Sequence, residues 1–209
     1  MTIRSLILFV LTSLAVACHS QTLRPSGVDS VATVAVDDTL TVADTVPVAH
    51  RTPRRPWLAA AEVVAANLGI LAFDHYVLDA EFAKVTWRTV GRNFSPSKWY
   101  WDSDIFRTNL MLHPYHGSIY YNAARSNGLN FYESIPFAVG GSLMWEIAGE
   151  MEHPSINDFL ATSVSGLAIG EVTHRLAERI YDNRSRGAER VGREIVGALL
   201  NPAGGFTRL

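Results

Sequence analysis

The sequence predicts an all-α fold: a single bundle-like helical domain with aromatic-rich connections, preceded by a signal peptide and a disordered tether. Three observations carry this expectation. From Trp57 onward, apolar and alanine-rich runs recur that are too long for ordinary strands and lack strand alternation. Helix start and stop signals bracket them, among them Pro114, Asn127-Gly128 and the run Ser155-Ile156-Asn157-Asp158. No internal repeat and no series of strand-like segments accompanies them.

Residues 1–17, MTIRSLILFVLTSLAVA, read as an export signal. Arg4 supplies a positive start, Leu6 to Val16 an apolar core too short to cross a bilayer comfortably, and small residues a cleavage point. Two cuts compete. Ala15-Val16-Ala17 suits ordinary signal peptidase, whereas Ala-Val-Ala-Cys fits a permissive lipobox that makes Cys18 the lipidated first residue. Cys18 is the only cysteine in 209 residues, so the chain forms no intramolecular disulfide, and its stability must come from burial. Residues 18–56 are expected to be this lipidated terminus and a flexible linker. The stretch 19–56 has no aromatic residue, is rich in Thr, Val, Ala, Asp and Pro, and closes on RTPRRP. A formal charge of −2 with no strongly basic face argues against a nucleic-acid partner.

Residues 57–209 form the expected helical domain, and an apolar content of 48% suffices for one core. WLAAAEVVAANLGILAFDHYVL has few breakers and predicts a helix. Glu62, Asn67 and Asp74 interrupt it, which favours a helix buried in a globular or membrane-apposed bundle over one crossing a bilayer at 57–78. Arg51, Arg54 and Arg55 just before it suit anionic headgroups, or a solvated linker. Residues 86–112 are an aromatic-rich connection whose Trp99, Tyr100 and Trp101 cap the core or lie at an interface.

LMLHPYHGSIYYNAAR then predicts a short helix with His113 as cap, Pro114 at its first position and Gly128 at its end. His113, His116 and Tyr120 follow at steps of three and four and share a face. A helix over 131–151 carries Gly140-Gly141, which admits a close neighbour, and Glu146 and Glu150 one turn apart. Ser155 is expected to cap the next helix, with Asp158 reaching back to it. Gly166 and Gly170 make a small-residue stripe suited to a close crossing. In the last helix, from about Gly187 to Leu200, Val191, Ile195 and Leu199 are expected to face inward and Arg190 to pair with Glu194.

Three chemistries compete for these residues. A hydrolase of envelope lipid or glycan would use His113 or His116 as base, Glu146 or Glu150 to orient it, Tyr120 beside it, and Arg125 or Arg175 to hold an anionic group. A metal-binding bundle would draw on the two ExxH motifs, Glu150–His153 and Glu171–His174, with Glu150, Glu171 and His174 as ligands. The third reading is a buried polar network in which Glu171 with Arg175, and His116 with Tyr120, fix helix register. No Gly-x-Ser-x-Gly elbow, P-loop or dinucleotide fingerprint is present.

The run WYWDSDIFRTNLMLHPYHGSIYYNAAR, followed by GGSLMWEIAGE, SINDFLATSVSGLAIGEVTHRL and NPAGGFTRL, resembles an uncharacterised bacterial envelope family known as domain of unknown function 3943. The resemblance spans roughly residues 57–209 and rests on the order of the motifs. It implies an exported protein of Gram-negative bacteria and no particular activity. Longer members continue past the region similar to NPAGGFTRL into β-rich sequence, which implies a helical module alone here if that extension forms a barrel. The resulting expectation is a non-enzymatic, exported protein on the periplasmic side of a bacterial membrane, an outer-membrane lipoprotein. Its partners would be the membrane, through the lipid on Cys18, and an outer-membrane protein.

Overall fold

A computed structural model describes residues 52–103 and 108–208. The export signal, Cys18 and the linker as far as Arg51 lie outside the described residues. The described chain is helical: α1 (Pro56–Tyr76), α2 (Trp87–Asn93), α3 (His113–Ser126), α4 (Phe131–Ala148), α5 (Ile156–Leu160), α6 (Gly166–Ile180), α7 (Gly187–Leu200) and α8 (Pro202–Thr207). Among the described residues the strand-like pairing is a single parallel bridge between Tyr100 and Ser155.

The fold is built around α3, which packs against α1, α4, α6 and α8. From Gly117 to Ala124 every α3 residue is buried. The helix does not begin at Pro114 with His113 as cap: a π-helical turn, Thr108–Leu112, runs into it and places His113 inside the helix. Its end is as the sequence predicts, because Gly128 takes the left-handed conformation, φ 80°, that glycine adopts at least cost.

Helix α3 runs parallel, at a constant offset, to the continuous segment formed by α5, a second π-helical turn (Ala161–Ser165) and α6. His113 meets Thr162, Gly117 meets Gly166 and Tyr121 meets Gly170, each pair 49 positions apart. The contact is close enough to exclude side chains. A Cβ on Gly117 would lie 1.8 Å from the Thr162 carbonyl oxygen, and one on Gly166 would lie 2.5 Å from the Gly117 backbone. Helices α1 and α4 flank α3 antiparallel to it: Asn67 meets Tyr120 while Ala59 packs with Ala124, and Gly141 lies under the Tyr120 ring while Trp145 meets His116. Gly141 is thus the close-approach residue of the Gly140-Gly141 pair, and Gly140 faces open space.

Polar side chains share the interior with an apolar core that includes Val63, Ile119, Tyr121 and Trp145. The interior holds Asn67, Asn93, Asn122, Asn127, Glu146 and Asn201, all at most 5% exposed. Large apolar residues point out, including Val64 and Leu68 on α1, Leu143 on α4 and Val172 on α6. Helix α1 is therefore no core helix: only 17% of its most apolar stretch is buried. Val191, Ile195 and Leu199 of α7 are likewise exposed and do not form the expected inner face. The expected Arg190–Glu194 pair is absent. Glu194 instead receives Arg208 at 2.8 Å, and Arg193 pairs with Glu189 at 2.9 Å. Arg208 also lies 4.0 Å over the Tyr181 ring, whose hydroxyl is pushed up from its ordinary range by burial.

Candidate functional site

The polar side chains of α3 resolve into separate networks. The first centres on Tyr120. Its hydroxyl donates to Oδ1 of Asn67 at 2.7 Å and lies 2.5 Å from Nε2 of His116. Asn67 donates its amide to the Val63 carbonyl at 3.1 Å, which fixes Oδ1 toward Tyr120. A hydroxyl has one proton, so with Asn67 receiving it, His116 must be the donor to Tyr120. His116 is therefore assigned as the neutral Nε2–H tautomer, held edge-on against Trp145 with ring centroids 4.7 Å apart.

The same region takes in the two glutamates. The Trp145 indole donates to Oε1 of Glu150 at 2.6 Å. Glu150 lies past the end of α4, so it does not share a helical face with Glu146. Glu146 is 2% exposed and accepts the Ser155 backbone N–H at 2.8 Å. This alters the expected capping box. Ser155 does accept from the Asp158 N–H, at 3.2 Å, but the return arm comes from Glu146 across the loop rather than from Asp158. His113 lies one turn before Gly117, with Nδ1 at 3.1 Å from the Thr162 hydroxyl and Nε2 at 3.5 Å from Oδ1 of Asp158. The first distance is a hydrogen bond; the second is too long for a strong one.

A second network lies toward the C-terminal end of α3. Glu171 accepts from Tyr121 and from Arg125, each at 2.8 Å, and from Arg175 at 2.6 Å. Arg125 also donates to the Leu129 carbonyl at 2.6 Å, closing the turn after α3. A third ties α1 to the chain end: Glu62 receives Asn127 at 2.8 Å and Thr207 at 3.2 Å.

The six residues expected to form a hydrolytic site are thus divided. His116, Tyr120 and Glu150 are linked through Trp145, His113 and Glu146 each anchor the α5 segment, and Arg125 belongs to the Glu171 cluster. The expected ligands Glu150, Glu171 and His174 are not gathered: among the described residues no group of three or more His, Cys, Asp or Glu side chains is placed to hold a metal ion. Glu150 is engaged by Trp145 and Glu171 by two arginines and a tyrosine, while His174 is buried beside that cluster on α6. Both pairs of the network reading, Glu171 with Arg175 and His116 with Tyr120, are formed.

Sequence reasoning missed Asn67, Thr162, Asn127 and the partnership of Glu62 as network members. One signal was available: an amide or carboxylate within an apolar helix needs a partner when buried. The partner lies on another helix, and spacing within one helix does not identify it.

Neither the curated proteins nor the solved structures offer a match to this chain. The family model described as Domain of unknown function (DUF3943) matches residues 98–203, half of the chain and the part that contains α3 to α7 and all of these networks except their α1 partners and Thr207, and the chain belongs to that family.

Proposed function

We propose that this protein is an exported, membrane-anchored helical module of the bacterial cell envelope with a structural or partner-binding role and no reaction of its own. One observation carries the reading: Tyr120, Glu146, Arg125 and Glu171 are bonded to other groups inside the bundle, while α1, α4 and the α5–α6 segment as far as Val172 turn apolar residues outward. An enzyme of the hydrolase type needs a base and an orienting carboxylate aimed at a substrate. Here His116 donates its Nε2–H to the Tyr120 hydroxyl, Glu146 holds a backbone N–H, and Arg125 is engaged by Glu171.

The anchor is the lipid on Cys18, the linker lets the domain reach the bilayer, and the compartment is the periplasmic face of the outer membrane. Mass spectrometry of the mature N-terminus tests the anchor: the expected mass is that of a diacylglyceryl-modified chain beginning at Cys18. Fractionation tests the rest. The wild-type chain should sediment with outer membranes. Recovery in the soluble fraction with an unmodified N-terminus would end this reading.

A further inference from the structure

We infer that the helical domain is itself embedded in the hydrocarbon layer of a bilayer, with α1, α4 and the α5–α6 segment facing lipid. The inference rests on the membrane-anchored reading above and adds that the bundle, beyond the Cys18 lipid, is the part that enters the membrane.

The first support is the outward face of α1. Every exposed residue from Trp57 to Tyr76 is apolar, aromatic or glycine, with Val64 and Leu68 at mid-length. Its Glu62, Asn67 and Asp74 lie on the inward side, the first two bonded to Asn127 and Tyr120. A helix against water would carry these groups on the opposite face. In lipid the arrangement follows for Glu62 and Asn67, because a polar or ionisable group at membrane depth must face the interior and find a partner there.

The second support is dimensional. Trp57 and Tyr76 are 86% and 82% exposed and bracket α1. Their separation along the helix is about 28 Å at the standard rise, close to the ~30 Å thickness of a hydrocarbon layer. Amphipathic aromatic rings favour the two interfaces of such a layer. The neighbouring elements carry exposed aromatic rings toward the same two ends. Tyr132, 77% exposed, starts α4 at the Trp57 end, where Arg54 bonds Glu133 at 2.6 Å. Trp87, 92% exposed, lies at the Tyr76 end, where the chain after α1 returns through the His75–Ala83 contact.

The third support is where charge begins. The exposed residues of α4 are Tyr132, Pro136, Gly140 and Leu143. Along the α5–α6 segment the exposed positions from Ile156 to Val172 are all aliphatic, and the first exposed charge is Arg175. By the constant offset of 49, Arg175 lies level with Ser126, at the end of α3 that adjoins the start of α1. Arg54, Arg55 and Arg175 thus gather at one border of an uncharged band, suited to anionic headgroups. A protein partner needs no band of this height with aromatic borders; a bilayer does.

The test uses the full chain with Cys18→Ser, so that an introduced cysteine is the only thiol. Val64→Cys, Leu143→Cys and Val172→Cys lie in the band; Arg88→Cys and Glu178→Cys lie at its two ends. Each variant is reconstituted into vesicles of phosphatidylethanolamine and phosphatidylglycerol and treated with N-ethylmaleimide, which reacts with thiols in contact with water. The band positions should react at least tenfold more slowly than the two end positions, and all five should react alike after unfolding in dodecyl sulfate. Band positions reacting within threefold of the ends would overturn the inference. In that outcome, a wild-type chain still retained on membranes through Cys18 leaves the anchored reading standing. A wild-type chain found soluble with an unmodified terminus removes both.

Discussion

Replacing Gly117 with alanine puts one carbon where the structure has no room for it. The new Cβ would lie 1.8 Å from the Thr162 carbonyl oxygen and 2.7 Å from its carbon, whereas ordinary contact begins at 3.4 Å. Both obstacles are backbone, so no side chain can rotate away. The two helices must part by roughly 1.5 Å at this point, and because they run in register the separation spreads. One turn earlier it stretches the 3.1 Å bond between His113 and Thr162, and one turn later it lifts Tyr121 off Gly170. Overpacking of this kind costs about 1–3 kcal/mol. Leaving a buried hydrogen-bonding group unpaired costs about as much again. The expected destabilisation is therefore about 2–5 kcal/mol, a large part of the ~5–15 kcal/mol that holds a domain together. The control is Gly140→Ala, in the middle of α4 with nothing within 4 Å of its Cβ. Alanine there should stabilise by about 0.5–1 kcal/mol through helix propensity alone. Denaturant unfolding of the detergent-solubilised full chain, followed by circular dichroism, measures both. Two variants within 0.5 kcal/mol of each other would refute the close α3–α6 crossing on which the register rests.

Tyr120→Phe keeps the ring against Gly141 and deletes the hydroxyl shared by Asn67 and His116. A loss of about 1–3 kcal/mol is expected in the same unfolding assay, because two buried partners are left unpaired; a neutral result would argue that the hydroxyl's bonds to Asn67 and His116 contribute nothing net to stability. Glu171→Gln removes the charge that Arg125 and Arg175 share. Arg175 is largely exposed and its share is small, but Arg125 is mostly buried, so a loss of about 2–4 kcal/mol is expected, measured as a fall in the denaturant midpoint. Asn201→Ala removes the cap that accepts the Gly204 N–H at 2.7 Å and the bond to Ser126 at 3.1 Å. It should cost about 1–2 kcal/mol and increase proteolysis at the C-terminal turn before the rest of the bundle unfolds.

The sequence made the helices legible because their signals are local. Gly187 and Leu200 bound α7 where expected, Gly128 stops α3, and Ser155 caps α5. Which side of a helix faces inward was not legible wherever the environment, rather than the periodicity, decides it. Val191, Ile195 and Leu199 make a regular stripe, and a stripe is read as core by default; here it is the exposed side. The same inversion hid α1, whose Glu62, Asn67 and Asp74 looked like defects in an apolar helix; all three lie on its inward side, and the first two are bonded to α3 and the turn after it. Spacing put Glu146 and Glu150 on one face, but the helix ends before Glu150, and the chain reversal sends the two carboxylates to different partners. The nearness of His113 to Thr162 depends on a parallel register between segments 49 positions apart, and no pattern within either helix specifies it.

The crowd of reactive groups on α3 and the apolar exterior follow from a single constraint if the bundle sits in lipid. In water, burial of the exposed leucines and valines would drive association, and the interior would fill with them. In hydrocarbon, a leucine gains almost nothing by turning inward, so association depends on close backbone packing and on polar bonds that have no solvent to replace them. Glycine at 117, 166 and 170 supplies the first, and Tyr120, Glu146 and Glu171 supply the second. The residues that resemble catalytic equipment are then the ones that distinguish the assembled bundle from separated helices. That assignment carries a functional consequence. Changes at His116 or Glu171 should act through assembly of the module, so any phenotype should track the fraction folded and show no loss of a chemical step in molecules that remain assembled.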